Sequence, residues 1–263
     1  EAARIILSEN RPFSMETAAC DEEYEPSSEY DSSFALQIFA AREAVFKILA
    51  KESLSIHEKL IVILDMGSKI QQCINTDEYD NIKSVVNDYL KEGIAHTLDE
   101  TRNLSDSGQF EDISLQQGIR QILYPYEEME VLNPEWEVIL KDIIDSLFEQ
   151  MSDEEYNILN EEFGTYMVSR AYEYRQLLEY LVFRYFAKSI YDYDFLGKCQ
   201  MLVTNFFVIR QMDIIRWLDN HREYSFKDRM DVVHIFSRQV EYSEDNIENL
   251  YEDFIFDDIF KTD

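Results

Sequence analysis

Six glycines and four prolines are spread over 263 residues, and this scarcity constrains the fold more than any other feature. Every tight turn, β-bulge or glycine-lined phosphate loop draws on those two residue types. A chain with so few suits long helices joined by few connections. It argues against a many-stranded sandwich and against a glycine-looped nucleotide fold. Hydrophobic residues make up 46% and aromatics 14% of the chain, enough to bury a core over most of its length. The expectation is therefore all-α, an irregular bundle of about nine or ten helices.

Apolar spacing and capping residues locate most of those helices. An opening helix, EAARIIL, leads into RPFSMETAACDEEYEPSSEYDSS, read as an extended acidic connection, so residues 1–33 form a lead-in. Residues 34–263 form the helical domain. After Ser33, residues Leu36, Phe39, Val45, Phe46 and Leu49 fall near the 3.6-residue period. Ser55-Ile-His-Glu58 is a capping box, S-x-x-E, opening the next helix. A third follows Thr76 and is expected to stop at Gly93. Residues 94–113 are the least patterned stretch, a possible division between a front and a rear helical set.

The rear half carries a short helix at SLQQGIRQIL, then Asn133-Pro134 as N-cap and first helical residue, then a second capping box at Ser152–Glu155. Met167, Ala171, Tyr174, Leu178, Leu181 and Tyr185 step along one helix face. Within LLEYLVFRYF only Glu179 and Arg184 are charged, which implies a surrounded helix with Arg175 and Glu179 paired at i,i+4. Ser225 and Ser243 cap the last two helices.

Charge excludes whole function classes. Lys plus Arg number 24 and Asp plus Glu 54, a net −30, which repels nucleic-acid phosphates and anionic membranes. It fits a basic protein partner, or the general acidity of some bacterial cytoplasmic proteins. The longest uncharged run near the apolar core, Cys199 to Ile209, is far shorter than the roughly 18 residues of a membrane span. Cys20, Cys73 and Cys199 are too dispersed for a disulfide framework, and His57, His96, His221 and His234 too scattered for a metal site. No Walker loop, Rossmann fingerprint, zinc H-E-x-x-H or nucleophile elbow occurs. Asp153–Glu155 and Asp257-Asp258 read as charge near helix ends.

The most distinctive constellation is FSRQVEYSEDNIENL, Phe236 to Leu250. On the helix before Ser243, His234, Ser237, Arg238 and Glu241 form one polar stripe, with Arg238 in reach of Glu241 and Tyr242. A sharp corner at Ser243 would then gather Glu241, Tyr242 and Asn246. Two readings stand: a structural corner on a solvated face, or a polar seam facing a substrate.

These residues also resemble a family. SRQVEYSEDNIENL is similar to the closing segment of the flagellin-type lysine N-methylases, with its Ser-Arg, Glu-His-Ser and Asn-Leu elements. EAARIIL resembles the family's Cys-Pro-Glu-Ala-Ala-Arg segment, SLSIHEKLIVIL its Leu-x-x-Arg-Leu helix and YRQLLEYLVFRYF its Glu-Asn-Tyr-Leu helix, in the same order. Tyr242 stands where histidine is usual and Lys59 where arginine is usual. The resemblance implies the C-terminal part of a cytoplasmic protein-lysine N-methyltransferase that uses S-adenosylmethionine and acts on a flagellin-like substrate. It also implies an upstream cysteine-rich module holding an iron–sulfur cluster, without which this part would be inactive. Carried over on those terms, Glu241 and Tyr242 are candidate catalytic residues, and Ser237, Arg238, Ser243 and Asn246 candidate substrate-binding residues. No metal and no cofactor site is assigned within the chain. The alternative is a non-enzymatic acidic helical module that binds a basic protein.

Overall fold

The computed structural model describes residues 2–10, 32–107 and 113–256. The acidic connection read at 11–33 therefore falls outside the description except for its last two residues, which open a helix; Cys20 and Asp257-Asp258 also lie outside it. Among the described residues there is no strand, and eleven continuous helical segments occur, ten of them of seven residues or more. No helix among these residues is long and apolar enough to cross a membrane.

The caps fall where local chemistry puts them. Ser55 accepts from the Glu58 backbone N–H while Glu58 accepts from that of Ser55, starting Ile56–Asn75. Ser114 with Gln117, Ser152 with Glu155 and Ser225 with Asp228 repeat the arrangement. Asn133 caps Pro134–Ile143. Ser243 Oγ accepts the Asn246 N–H at 3.1 Å and caps Glu244–Phe256.

Two expectations are corrected. Gly93 does not end a helix. A continuous helical run covers 79–107, passing through a π turn at Tyr89–Gly93 and on along Ile94–Ser107. Burial of Ile94 and Leu98 outweighs the weak helix preference of glycine. The stretch read as unpatterned from 94 is thus helical as far as Ser107. The Met167–Tyr185 stripe is buried except at Ala171, where a 3-10 turn over Val168–Arg170 breaks the period.

The chain forms two compact units, each discontinuous in sequence: 1–6, 107–171 and 200–263 in one, 7–106 and 172–199 in the other. The second is built from Ser32–Leu49, Ile56–Asn75, 79–107 and most of Ala171–Tyr185, around Phe34, Val45, Ile63, Met66, Leu178 and Phe186. Gly67 lets Cys199 come close: a Cβ there would lie 2.7 Å from the Cys199 sulfur. Gln71 serves the start of Phe195–Asp219, accepting the Phe195 and Leu196 N–H groups at 2.8 and 3.1 Å.

The first unit packs Leu115–Glu127, Pro134–Ile143, Asp153–Tyr166, Phe226–Phe236 and Glu244–Phe256 with the chain from Gln200 to Asp219. Its core holds Tyr126, Trp136, Tyr156, Phe163, Phe206 and Phe236. Buried hydroxyls are bonded: Tyr126 to Asn205 at 2.6 Å and Tyr156 to Gln211 at 2.9 Å. Arg229 donates to Asp213 at 2.5 Å inside this core, and Tyr224 donates to the other Asp213 oxygen. The turn after the long helix places both His221 and Arg222 at positive φ, 56° and 68°, with Arg222 held by Glu162 at 2.8 Å.

Candidate functional site

The corner singled out in the sequence is built on a π turn. Phe226–Phe236 is α-helical, and Ser237–Glu241 then opens into i→i+5 bonding. The wider turn changes the angular position of everything after Phe236. The polar stripe is therefore split: His234 and Arg238 are exposed, whereas Glu241 is buried. No ion pair joins Arg238 to Glu241 and no cation–π contact joins it to Tyr242 among the described residues.

Two amides lock this corner to the loop before Pro134. Gln239 Oε1 accepts from the Leu132 and Asn133 N–H groups at 2.9 and 3.2 Å, and its Nε2 donates to the Glu130 carbonyl at 2.7 Å. Asn246 accepts from the Glu130 N–H at 3.0 Å and donates to the carbonyls of Glu130 and Gln239, both at 3.0 Å. Asn246 is fully buried with all these bonds internal, and Ser243 is buried and occupied as a cap. Tyr242 stands out at 78% exposed. Of the six candidate residues, Ser237, Arg238 and Tyr242 face outward to differing degrees, while Glu241, Ser243 and Asn246 face in.

Beside the corner lies a groove of about 600 Å³. One wall is a single face of the helix from Pro134, with Glu135, Val138, Ile139 and Asp142 at i, i+3, i+4 and i+7. The facing wall has the same spacing on the next-to-last helix: Asp231, His234, Ile235 and Arg238. The end of Phe195–Asp219 closes it with Ile215, Arg216 and Asp219. Asp231 is engaged with Lys227. Glu135, Asp142 and Asp219 have no ion-pair partner among the described residues and point their charge at the groove and solvent. Sequence reading found Arg238 and His234 but missed these carboxylates. Each wall mixes apolar and charged residues on one face, so no hydrophobic period marks it.

The other unit gathers a buried charged cluster. Arg175 Nε lies 3.7 Å from Glu179 Oε1, the internal pair expected from their spacing. Glu179 Oε2 has no hydrogen-bond partner. Burial pushes the Glu179 carboxyl above its ordinary range, with Arg175 and Lys59 pulling it back. Burial likewise lowers the Lys59 ammonium, and Arg175 adds to that. Arg175 also donates to Asn10 at 2.7 Å, and Gln176 to the Glu9 carbonyl at 2.7 Å. Three of the stretches that carry the family resemblance, or the residues just after them, thus meet here.

A third cluster was not foreseen. Asp65 accepts from Tyr89 and, at 2.5 Å, from Thr97, and Lys69 donates to the Tyr89 hydroxyl at 2.7 Å. Desolvation raises the Tyr89 phenol, with the Asp65 hydrogen bond adding to it, so this tyrosine is held as a donor and not activated as a base. No group of three or more His, Cys, Asp or Glu able to hold a metal occurs among the described residues. Cys73 and Cys199 are buried thiols whose pKa burial raises. An iron–sulfur cluster therefore has no ligand set in the described part of this chain.

The fold and its grooved corner define an all-helical domain with exposed carboxylates and guanidinium groups beside a tightly tied π turn. The model of the FliB lysine N-methylase C-terminal domain matches residues 42–263, and the chain belongs to that family. No curated protein and no solved structure matches it.

Proposed function

We propose that this chain is the substrate-handling part of an S-adenosylmethionine-dependent protein-lysine N-methylase, cytoplasmic and acting on a flagellin-like protein. The observation that carries the reading is the family match over 42–263. S-adenosylmethionine supplies the methyl group, and the residues of this chain are assigned to the amine alone. The reading includes a cysteine-rich iron–sulfur module contributed from outside these residues.

A lysine amine must lose its proton before it attacks a methyl group. With a free pKa of about 10.4, holding it neutral at pH 7 costs roughly 4.6 kcal/mol. Desolvation and nearby cations both reduce that cost, and a base can take the proton. In this reading the exposed ring of Tyr242 covers the amine and excludes water. Arg238, exposed and without an ion-pair partner among the described residues, disfavours the ammonium form of an amine brought near it. Glu241 faces inward at the same corner, so its part as proton acceptor requires the amine to enter beneath the Tyr242 ring. Ser237 lines the approach, while Ser243 and Asn246 hold the corner in shape.

The test is methyl transfer by the full-length protein to a lysine-bearing substrate, with Glu241→Gln and Tyr242→Ala. Each is expected to lower kcat/KM by about 10²-fold, the scale of a lost acid–base or desolvating group. Unchanged turnover in Glu241→Gln would remove that residue from the reaction. Calorimetry with S-adenosylmethionine on this chain and on the cysteine-bearing protein then locates the donor: binding by the longer protein alone supports the reading.

A further inference from the structure

The groove beside the corner carries carboxylates to which the function just proposed gives no role. Ile139, Ile215 and Ile235 lie nearly buried at its base, and Val138 on the wall, 61% exposed, is its main accessible apolar side chain. Its rim carries the carboxylates of Glu135, Asp142 and Asp219, none neutralised by an ion pair among the described residues. A surface that is apolar below and anionic above matches one kind of side chain: a long aliphatic stem ending in a cation. We infer that this groove docks a lysine-bearing extended segment of the protein substrate, the lysine stem along Val138 and its ammonium on the carboxylate rim.

The inference rests on the methylase reading for the identity of the partner, and on groove chemistry for the place. A length of peptide fits the dimensions, since about 600 Å³ holds several residues of extended chain. Arginine would reach the same rim, but its planar guanidinium carries a shorter stem and covers less of Val138. Arg216 and Arg238 at the groove's side set a limit on how many cations can enter together, so a single lysine among neutral or acidic neighbours fits better than a polybasic run. The groove is lined by Asp231, His234 and Ile235 of one helix and by Arg238 of the π turn that continues it toward Tyr242.

The test is titration of the 263-residue chain, by fluorescence anisotropy, with a labelled, end-blocked decapeptide that has one central lysine in a serine–alanine host. Companion peptides carry norleucine, arginine or glutamine at that position. The lysine peptide is expected to bind best, and the triple variant E135Q/D142N/D219N to weaken it about tenfold. A control, E154Q/E161Q/E248Q, changes net charge equally at exposed positions outside the groove and should leave affinity within twofold. V138S should weaken lysine and norleucine peptides alike, reporting the stem. Equal loss in groove and control variants would overturn the inference, as would a glutamine peptide that binds as well as lysine. Full-length methylation distinguishes the two claims. Normal methylation by the triple groove variant sinks the docking site and leaves the methylase reading standing. Groove-dependent peptide binding with no methyl transfer by the full-length protein does the opposite, and makes the chain an acidic docking module.

Discussion

At the residue scale, Glu179 is a buried carboxylate whose burial is only partly compensated. It is almost fully buried, lies 3.7 Å from Arg175, and has one oxygen unbonded. Burial outweighs its two cations, so the folded protein holds the proton more tightly than the unfolded chain does. The sign follows from linkage: a raised folded pKa contributes stability below the ordinary glutamate value, and that contribution is lost as pH rises through the folded value. Glu179→Gln, which mimics the protonated form, should therefore flatten the fall in unfolding free energy above pH 4.5. Urea denaturation at pH 4 and pH 7 checks this; a variant with the parent's slope would assign the slope elsewhere. The pairing of Arg175 with Glu179 was legible because i,i+4 spacing is local. The arrival of Lys59 from another helix was not, since nothing in the spacing joins residues so distant in sequence.

At the scale of elements, the contrast is between caps and π turns. Ser55, Ser152, Ser225 and Ser243 could be read directly, because a hydroxyl satisfying an N–H two or three residues on needs only those residues. The π turns at Tyr89–Gly93, Ile144–Glu149 and Ser237–Glu241 could not, because π bonding is rare, no residue spacing announces it, and packing decides where a helix admits it. The consequence at the corner is large: the extra width moves Glu241 inward and separates it from Arg238. The corner is held by Gln239 and Asn246 bonding to the backbone at 130–133. Asn246→Ala removes three such bonds and leaves the Glu130 N–H without its partner. At about 1 kcal/mol per bond it should cost on the order of 3 kcal/mol, measured by chemical denaturation. A cost below about 0.5 kcal/mol would show that the corner does not depend on this clasp.

At the scale of the molecule, the net charge of −30 sets both solubility and self-repulsion. Raising ionic strength from about 0.01 to about 0.15 M shortens the Debye length from roughly 30 to roughly 8 Å. Thermal unfolding should therefore move upward with added salt, while lysine-peptide affinity falls over the same range. A melting temperature that drops with salt would mean that attractive pairs, not repulsion, dominate the surface.

The sequence by itself determined the all-helical class, the cap positions and the family. Scarce glycine and proline, i,i+3 hydroxyl–carboxylate spacing and short ordered motifs are local properties that survive without knowledge of the fold. Tertiary structure alone decided which distant segments share a unit, that the helix continues past Gly93, and that the corner turns on a π bulge. It also decided that Glu135, Asp142 and Asp219 stand around one groove. The physical reason is the same in each case: burial and long-range packing supply free energies larger than the local preferences that a sequence displays, and they act between residues that no spacing rule connects.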